Sequence, residues 1–267
     1  TKPKPLIKVI GKEIIFWLLD SLKLQDSDNV YIPYNEYLDG YQFKEVVNSV
    51  YPNIKLTSLP TTNGPSETIK LCINHFNIKG KVVLLDGDTW YGEDILSKIR
   101  QNGNNLTTYF KSTTLEPLFS YIKLNDNQIV DVKEKVKISD NANSGCYVFK
   151  SSEQILEYID RIETNSEKFT SDIIKEMLKD EIYFSAVEVN DFHVLGTPQQ
   201  IIEFSKSYPI ETKRFVFDLD NTLVTFPTIA GDYTSVKPIS KTINYLRNLK
   251  KDGHHIIIYT ARRMRTH

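Results

Sequence analysis

The feature that most constrains this chain is the alternation, through its first third, of short continuously apolar segments with segments of helical spacing. Segments 30–34, 54–59 and 81–85 are rich in β-branched and other apolar residues and have the length of buried strands. Between them, 11–22, 42–50 and 67–76 repeat apolar residues at helical intervals. Strand, helix and strand in succession build right-handed crossover units whose helices cover both faces of a sheet. The rhythm then changes. Segments 118–124 and 128–132 alternate in polarity on either side of Asn125-Asp126-Asn127, which predicts a hairpin. A strand at 144–149, helices at 153–162 and 171–178, a strand at 182–189 and a helix at 198–205 follow. The expected architecture is a three-layer α/β sandwich around a mixed, mostly parallel sheet.

A boundary is expected near Ser207-Tyr208-Pro209, dividing the chain into 1–207 and 208–267. Beyond it come a strand at 214–217, a loop carrying Pro227, Gly231 and Pro238, a helix at 239–250 stopped by Gly253, and a strand at 256–259.

Composition narrows the function classes. A net charge of −1 argues against a nucleic-acid surface held by bulk charge. No run approaches the apolar length of a membrane span. Two cysteines, Cys72 and Cys146, build no disulfide framework, so a reducing cytoplasmic setting is expected.

Five short motifs in the first part bear on phosphate chemistry. The strand at 81–85 runs into Asp86-Gly87-Asp88. In an open α/β sheet ligands gather at the carboxyl ends of strands, and carboxylates there suit Mg²⁺ bridging a triphosphate. The same three residues also make an ordinary turn. Pro3-Lys4-Pro5 stiffens the backbone around an ammonium suited to a polyphosphate. Asn63-Gly64-Pro65 opens a helix, with a glycine that admits close backbone approach, although it serves plain helix initiation equally well. Glu134-Lys135 closes a strand and offers a hydroxyl acceptor beside a phosphate partner. Asn143-Ser144-Gly145 leads into the strand at 144–149.

This ordered set resembles the sugar-phosphate nucleotidyltransferase family, whose domain is a Rossmann-like, glycosyltransferase-A-type sandwich. The resemblance covers about residues 1–207. It implies that Lys4 contacts the triphosphate, that the backbone at Gly64 and Pro65 meets the nucleotide, and that Asp88, assisted by Asp86, binds Mg²⁺. It further implies that Glu134 receives the acceptor's hydroxyls, that Lys135 holds its phosphate, and that Asn143 and Gly145 border it. The implied partners are a nucleoside triphosphate and a phosphorylated sugar or polyol, with neither nucleic acid nor membrane; self-association stays open. Two departures stand out. The family's glycine-rich loop and first strand precede the Pro-Lys-Pro segment, so a longer natural protein is expected. Many relatives also carry an Asp-x-Gly-Thr metal-binding segment, where this chain has Val194-Leu195-Gly196-Thr197; Asp191 or His193 could substitute, although His193 reads better as a buried structural residue.

The sharpest motif lies in the second part. The apolar strand at 214–217 delivers Asp218-Leu219-Asp220-Asn221-Thr222-Leu223. One carboxylate can attack phosphorus while its neighbour protonates the leaving oxygen. The run resembles the first motif of haloacid-dehalogenase-like (HAD) phosphatases. The resemblance makes Asp218 nucleophile and Mg²⁺ ligand, Asp220 general acid/base and metal contact, and Thr260, after the strand at 256–259, a phosphate-binding hydroxyl. The later lysine and acidic pair of that family do not occur in these residues, while Arg262, Arg263 and Arg265 read as a basic tail. The leading expectation is a bifunctional enzyme of nucleotide-sugar or surface-polysaccharide biosynthesis. The alternatives are a phosphatase whose first domain only binds sugar nucleotides, and a non-catalytic assembly protein.

Overall fold

The computed structural model describes residues 2–163, 166–208 and 213–261, in two compact units, Thr1–Ser205 and Lys206–His267. After a 3-10 turn at Lys4–Leu6, the first unit forms a small hairpin, β1 (Lys8–Val9) and β2 (Lys12–Glu13), closed by Ile10 and Gly11, both with positive φ. The helix expected from residue 11 therefore begins later, as α1 (Ile14–Ser21), because Lys12 and Glu13 are committed to cross-strand pairing with Lys8 and Val9. Ile14 through Leu19 are all buried, so α1 shows no polar stripe: it lies inside the unit.

The next elements follow the expected rhythm: β3 (Tyr31–Asn35), α2 (Phe43–Val50), β4 (Lys55–Leu59), α3 (Pro65–Phe76) and β5 (Val82–Leu85). β3 and β4 pair in parallel, with Tyr31 opposite Lys55. Then come β6 (Thr89–Tyr91), α4 (Ile95–Arg100), β7 (Asn105–Lys111), β8 (Ser120–Asn125), β9 (Gln128–Glu134) and β10 (Asn141–Phe149). The unit closes with α5 (Ser152–Arg161), α6 (Thr170–Lys179), β11 (Phe184–Glu188), β12 (Phe192–Val194) and α7 (Pro198–Ser207). The hairpin across Asn125-Asp126-Asn127 forms as expected, with Asp126 at positive φ.

The sheet is mixed, but the expectation of a mostly parallel one fails. Six strands run in the order β5-β10-β7-β11-β9-β8, and among the described residues β11 on β7 is their one parallel pairing. β5 pairs antiparallel with β10 rather than continuing the β3–β4 pair. The short connection from β8 to β9 reverses the chain and imposes an antiparallel ladder, and β10 then pairs antiparallel with β5, β7 and β8.

β10 is buried at every position and sorts the core by alternation. Tyr147 and Phe149 enter the face packed by α5 and α6, with Ile155, Ile173 and Met177. Cys146 and Val148 enter the opposite face with Leu18 of α1 and Ile95 and Ile99 of α4. The result is the expected helix–sheet–helix sandwich.

The second unit pairs β13 (Arg214–Asp218) in parallel with β14 (His255–Tyr259), preceded by α8 (Ser240–Lys251). Gly253, at φ +86°, ends α8 as expected. Val216 and Ile258 are 64% and 55% exposed, so this two-stranded ladder presents apolar strand surface to solvent.

Candidate active site

The site of the first unit forms where β5 ends. Asp86 leaves the strand with its N–H donating to Gly145 O at 2.8 Å, which ties the β5 end to β10. Gly145 sits at φ +82°, and a Cβ there would lie 2.7 Å from Asp86 Oδ2. No other residue type satisfies both the backbone geometry and the approach of that carboxylate. Asn143 prepares this bend: its Oδ1 accepts from Gly145 N–H at 2.7 Å and its Nδ2 donates to Thr107 Oγ1. The register of β10 on β7 shifts at this point. Asn143 is buried, with both ends of its amide engaged inside the sheet, where it shapes the bulge.

Asp86 is exposed to the crevice, although protein packs densely around its carboxylate. That desolvation, then the charges of Asp88 and Glu134, raise its carboxyl to about 7, and Lys4 opposes them. Lys4 reaches this place from the far end of the sequence, its Nζ lying 2.5 Å from Asp88 Oδ2. Lys4, Asp86, Asp88, Glu134 and Gly145 are thus brought into one neighbourhood.

Asp88 is also held from below. Its carbonyl accepts from Leu195 N–H at 2.6 Å, and β12 pairs with β6 so that Val194 lies opposite Thr89. The Val194-Leu195-Gly196-Thr197 segment therefore runs directly against Asp88, with Gly196 so close that a Cβ would stand 3.0 Å from Asp88 Oδ2. Asp191 does not substitute for the missing acid. It sits at the other end of the ladder, its carboxylate packed on Gly92. Nor does His193, which lies among Trp90 and Phe204 with ring centroids 5.7 and 5.1 Å away; desolvation lowers its pKa against the pull of Asp191. It is a structural histidine.

Glu134 ends β9. Its Oε2 accepts hydrogen bonds from Ser120 Oγ and, at 2.9 Å, from Ser171 Oγ. Lys135 adopts φ +50°, and its Nζ lies 5.1 Å from the centroid of the Phe169 ring. Glu134, Lys135 and Phe169 line a cavity of about 600 Å³, together with Glu163, Asp172 and Lys175.

Gly64 and Pro65 stand at the start of α3. Gly64 has φ +106°, and a Cβ there would meet Lys168 O at 2.7 Å. Ser66 N–H donates to Lys168 O and Lys168 N–H to Asn63 O, each at 3.0 Å. The close approach that the glycine permits is used by the protein's own 167–168 segment.

Sequence reasoning missed Ser120 and Ser171. Ser120 lies directly opposite Glu134 in the β8–β9 ladder, and Ser171 reaches it from the start of α6. Hydroxyls dispersed over a strand and a helix start leave no spacing signal.

In the second unit, Asp218 and Thr260 are brought to the same end of the parallel pair. Asp218 is in register with Tyr259, and Thr260 follows it. Leu219 O accepts from the N–H groups of Leu223 and Val224, which folds the chain back just after Asp220. Asp218 is exposed and Asp220 half-buried. Arg262, Arg263 and Arg265 lie outside the described residues.

Among the described residues no trio of His, Cys, Asp or Glu is gathered to hold a metal ion. Mg²⁺ in phosphate-transfer sites is commonly held by one or two carboxylates, with substrate phosphate and water supplying the rest. Asp86 and Asp88, two residues apart on one strand end and mutually repelling, fit that donor set.

A mixed sheet between helices, with paired carboxylates at a strand end and a lysine drawn onto one of them, defines an α/β sandwich protein. The chain belongs to the nucleotidyl transferase family, whose model matches residues 1–210. It is 23% identical over 214 residues to a bifunctional protein GlmU of Methanocaldococcus jannaschii, a match covering 77% of this chain and 49% of that one. The chain spans about half the length of the curated relatives it matches. Among solved structures, a nucleoside-diphosphate-sugar pyrophosphorylase from Vibrio cholerae RC9 superposes with a TM-score of 0.68 at 17% identity, over 78% of this chain and 93% of that one. An inositol-1-phosphate CTP transferase from T. maritima gives 0.61 at 12% identity, over 77% and 88%. These likenesses establish the fold. No helix among the described residues is long and apolar enough to cross a membrane.

Proposed function

We propose that residues 1–207 transfer a nucleotidyl group from a nucleoside triphosphate to a phosphorylated sugar or polyol, releasing pyrophosphate. The observation that carries this reading is the convergence of Lys4, Asp86, Asp88 and Glu134 at the end of β5. A phosphate oxygen of the acceptor attacks the α-phosphorus, the new P–O bond forms, and the bond from the α-phosphorus to its bridging oxygen breaks as pyrophosphate departs with the electron pair. Two anions must be held together for this, so the protein's contribution is positioning and charge. Lys4 and Lys135 supply cationic contacts at the two ends. Asp88 and Asp86 would hold Mg²⁺, which when bound neutralises phosphate charge. Gly64 and Pro65 would border the nucleotide, while Glu134 receives the acceptor's hydroxyls and Gly145 leaves the room that Asp86 needs. The names of the relatives support a sugar-type acceptor: one is a nucleoside-diphosphate-sugar pyrophosphorylase, another acts with inositol 1-phosphate. A cytoplasmic role in nucleotide-sugar supply for surface polysaccharide accords with that chemistry. The test follows label from the nucleotide. With an α-phosphorus label it should appear in the sugar nucleotide, and with a γ label in pyrophosphate; label released as inorganic phosphate would refute transfer.

For residues 208–267 we propose a phosphatase module of the HAD type. Its support is the placement of Asp218 and Thr260 at one end of a parallel pair, with Asp220 on the tight turn that follows. Asp218 would attack the phosphorus of a phosphate ester, and Asp220 would protonate the departing oxygen. Water would then cleave the aspartyl phosphate, giving its proton to Asp220. Hydrolysis of a phosphate ester that is lost with Asp218→Asn tests this. Undiminished hydrolysis in that variant would refute it.

A further inference from the structure

We infer that Ser171 and Ser120 are positioning residues that fix Glu134 so that one of its oxygens is reserved for a donor on the acceptor. Two hydroxyls converge on the same carboxylate oxygen. Ser120 Oγ donates to Oε2 from the facing position of β8, and Ser171 Oγ donates to it at 2.9 Å from the second residue of α6. Both serines are almost wholly buried, at 8% and 3% exposure, so water does not readily replace them. An ionised carboxylate only accepts, with about two sites on each oxygen. Oε2 takes both serine hydroxyls, and Oε1, which accepts no hydrogen bond among the described residues, remains for a ligand in the cavity that Glu134 lines. The group read there must therefore donate: a hydroxyl or an ammonium beside the acceptor's phosphate.

The serines are themselves held. Asp172 Oδ2 accepts from Phe169 N–H at 2.9 Å, fixing the first turn of α6 and with it Ser171. Phe169 O accepts from Ser66 Oγ at 2.7 Å, which ties the same turn to the start of α3 beside Gly64. Hydroxyls from β8 and α6, with the α6 turn tied to the start of α3, thus hold the Glu134 carboxylate. A glutamate otherwise free over three torsions is left with one orientation.

The ligand's identity rests on the transfer reading above; the geometry does not. Steady-state pyrophosphate release by Ser171→Ala and Ser120→Ala should show the acceptor KM raised about tenfold, since a charge-assisted hydrogen bond is lost in each. The nucleotide KM and kcat should stay within about twofold, and Ser171→Thr, which keeps the hydroxyl, should restore the acceptor KM. An unchanged acceptor KM in the double variant, or equal rises for both substrates, would overturn the assignment. A crystal structure of the double variant supplies a readout independent of turnover: the Glu134 carboxylate should leave its present rotamer, and an unmoved carboxylate would overturn the assignment too. Failure of the wild-type protein to release pyrophosphate contradicts the transfer reading alone, and the crystallographic comparison still decides the positioning.

Discussion

Lys4 Nζ lies 2.5 Å from Asp88 Oδ2 although 84 positions separate the two residues. The contact joins a proline-flanked lysine near the start of the chain to the end of β5, and the lysine side chain stays half exposed. A partly exposed ion pair adds little to stability. Lys4→Ala should therefore shift unfolding by no more than about 1 kcal/mol in urea titrations, while lowering kcat for pyrophosphate release about a hundredfold, the usual cost of removing one electrostatic contact to a reacting anion. A large stability loss with intact turnover would reverse this assignment of roles.

Asp86 gives the protein a signed pH dependence. Its carboxyl is raised in the folded chain from 3.8 to about 7 by desolvation first, then by Asp88 and Glu134. Between those two values the folded state binds more protons at this residue than the unfolded chain does, so this group's contribution to stability falls as pH rises through the window. Thermal melts without divalent cation should show that slope in the wild-type protein, and Asp86→Asn should flatten it. Parallel wild-type and variant profiles would show that Asp86 titrates as an ordinary carboxylate.

Gly145 meets two demands at once, φ +82° and a 2.7 Å gap to Asp86 Oδ2 for any added Cβ. Gly145→Ala should cost about 2 kcal/mol or more, the left-handed conformation and the clash acting together, and should displace Asp86. Denaturant unfolding measures the first effect, and weakened Mg²⁺ dependence of turnover the second. A variant of wild-type stability would mean that the β10 bulge yields freely.

The two proposed activities should separate by mutation. Asp218→Asn should abolish phosphate-ester hydrolysis and leave pyrophosphate release unchanged, and Asp88→Ala should do the reverse. Simultaneous loss of both activities in either variant would contradict two independent sites.

Much of this organisation is legible in the sequence because it follows from periodicity and turn chemistry. β3, β4 and β5 stand where apolar runs of strand length occur, and the β8–β9 hairpin stands where Asn125-Asp126-Asn127 interrupts alternation. The short elements β1, β2, β6 and β12 are not legible: two or three residues carry no period, and their pairing is decided by partners distant in sequence, as Val194 is from Thr89. β7 escaped for a different reason, since its polar Asn105, Thr107 and Thr108 are buried and satisfied within the sheet or by neighbouring loops. Sheet direction was misread because β5 chooses β10 as its neighbour, a long-range pairing that no local pattern encodes. Within the site, Asp86, Asp88, Lys4 and Glu134 could be picked out by residue type and order. The hydroxyls of Ser120 and Ser171 could not, since only the folded β8–β9 register and the start of α6 bring them to Glu134.

The central claim is that acidic residues at the end of β5 serve phosphoryl-anion chemistry between a nucleotide and a phosphorylated acceptor. Its most direct test is pyrophosphate release by wild-type protein and Asp88→Ala, across the nucleoside triphosphates and a panel of sugar and polyol phosphates with Mg²⁺. The account predicts release with at least one pair of substrates, dependent on added Mg²⁺ and reduced at least about a hundredfold in the variant. Release at the wild-type rate by Asp88→Ala, or none from the wild-type protein with any pair, would contradict it.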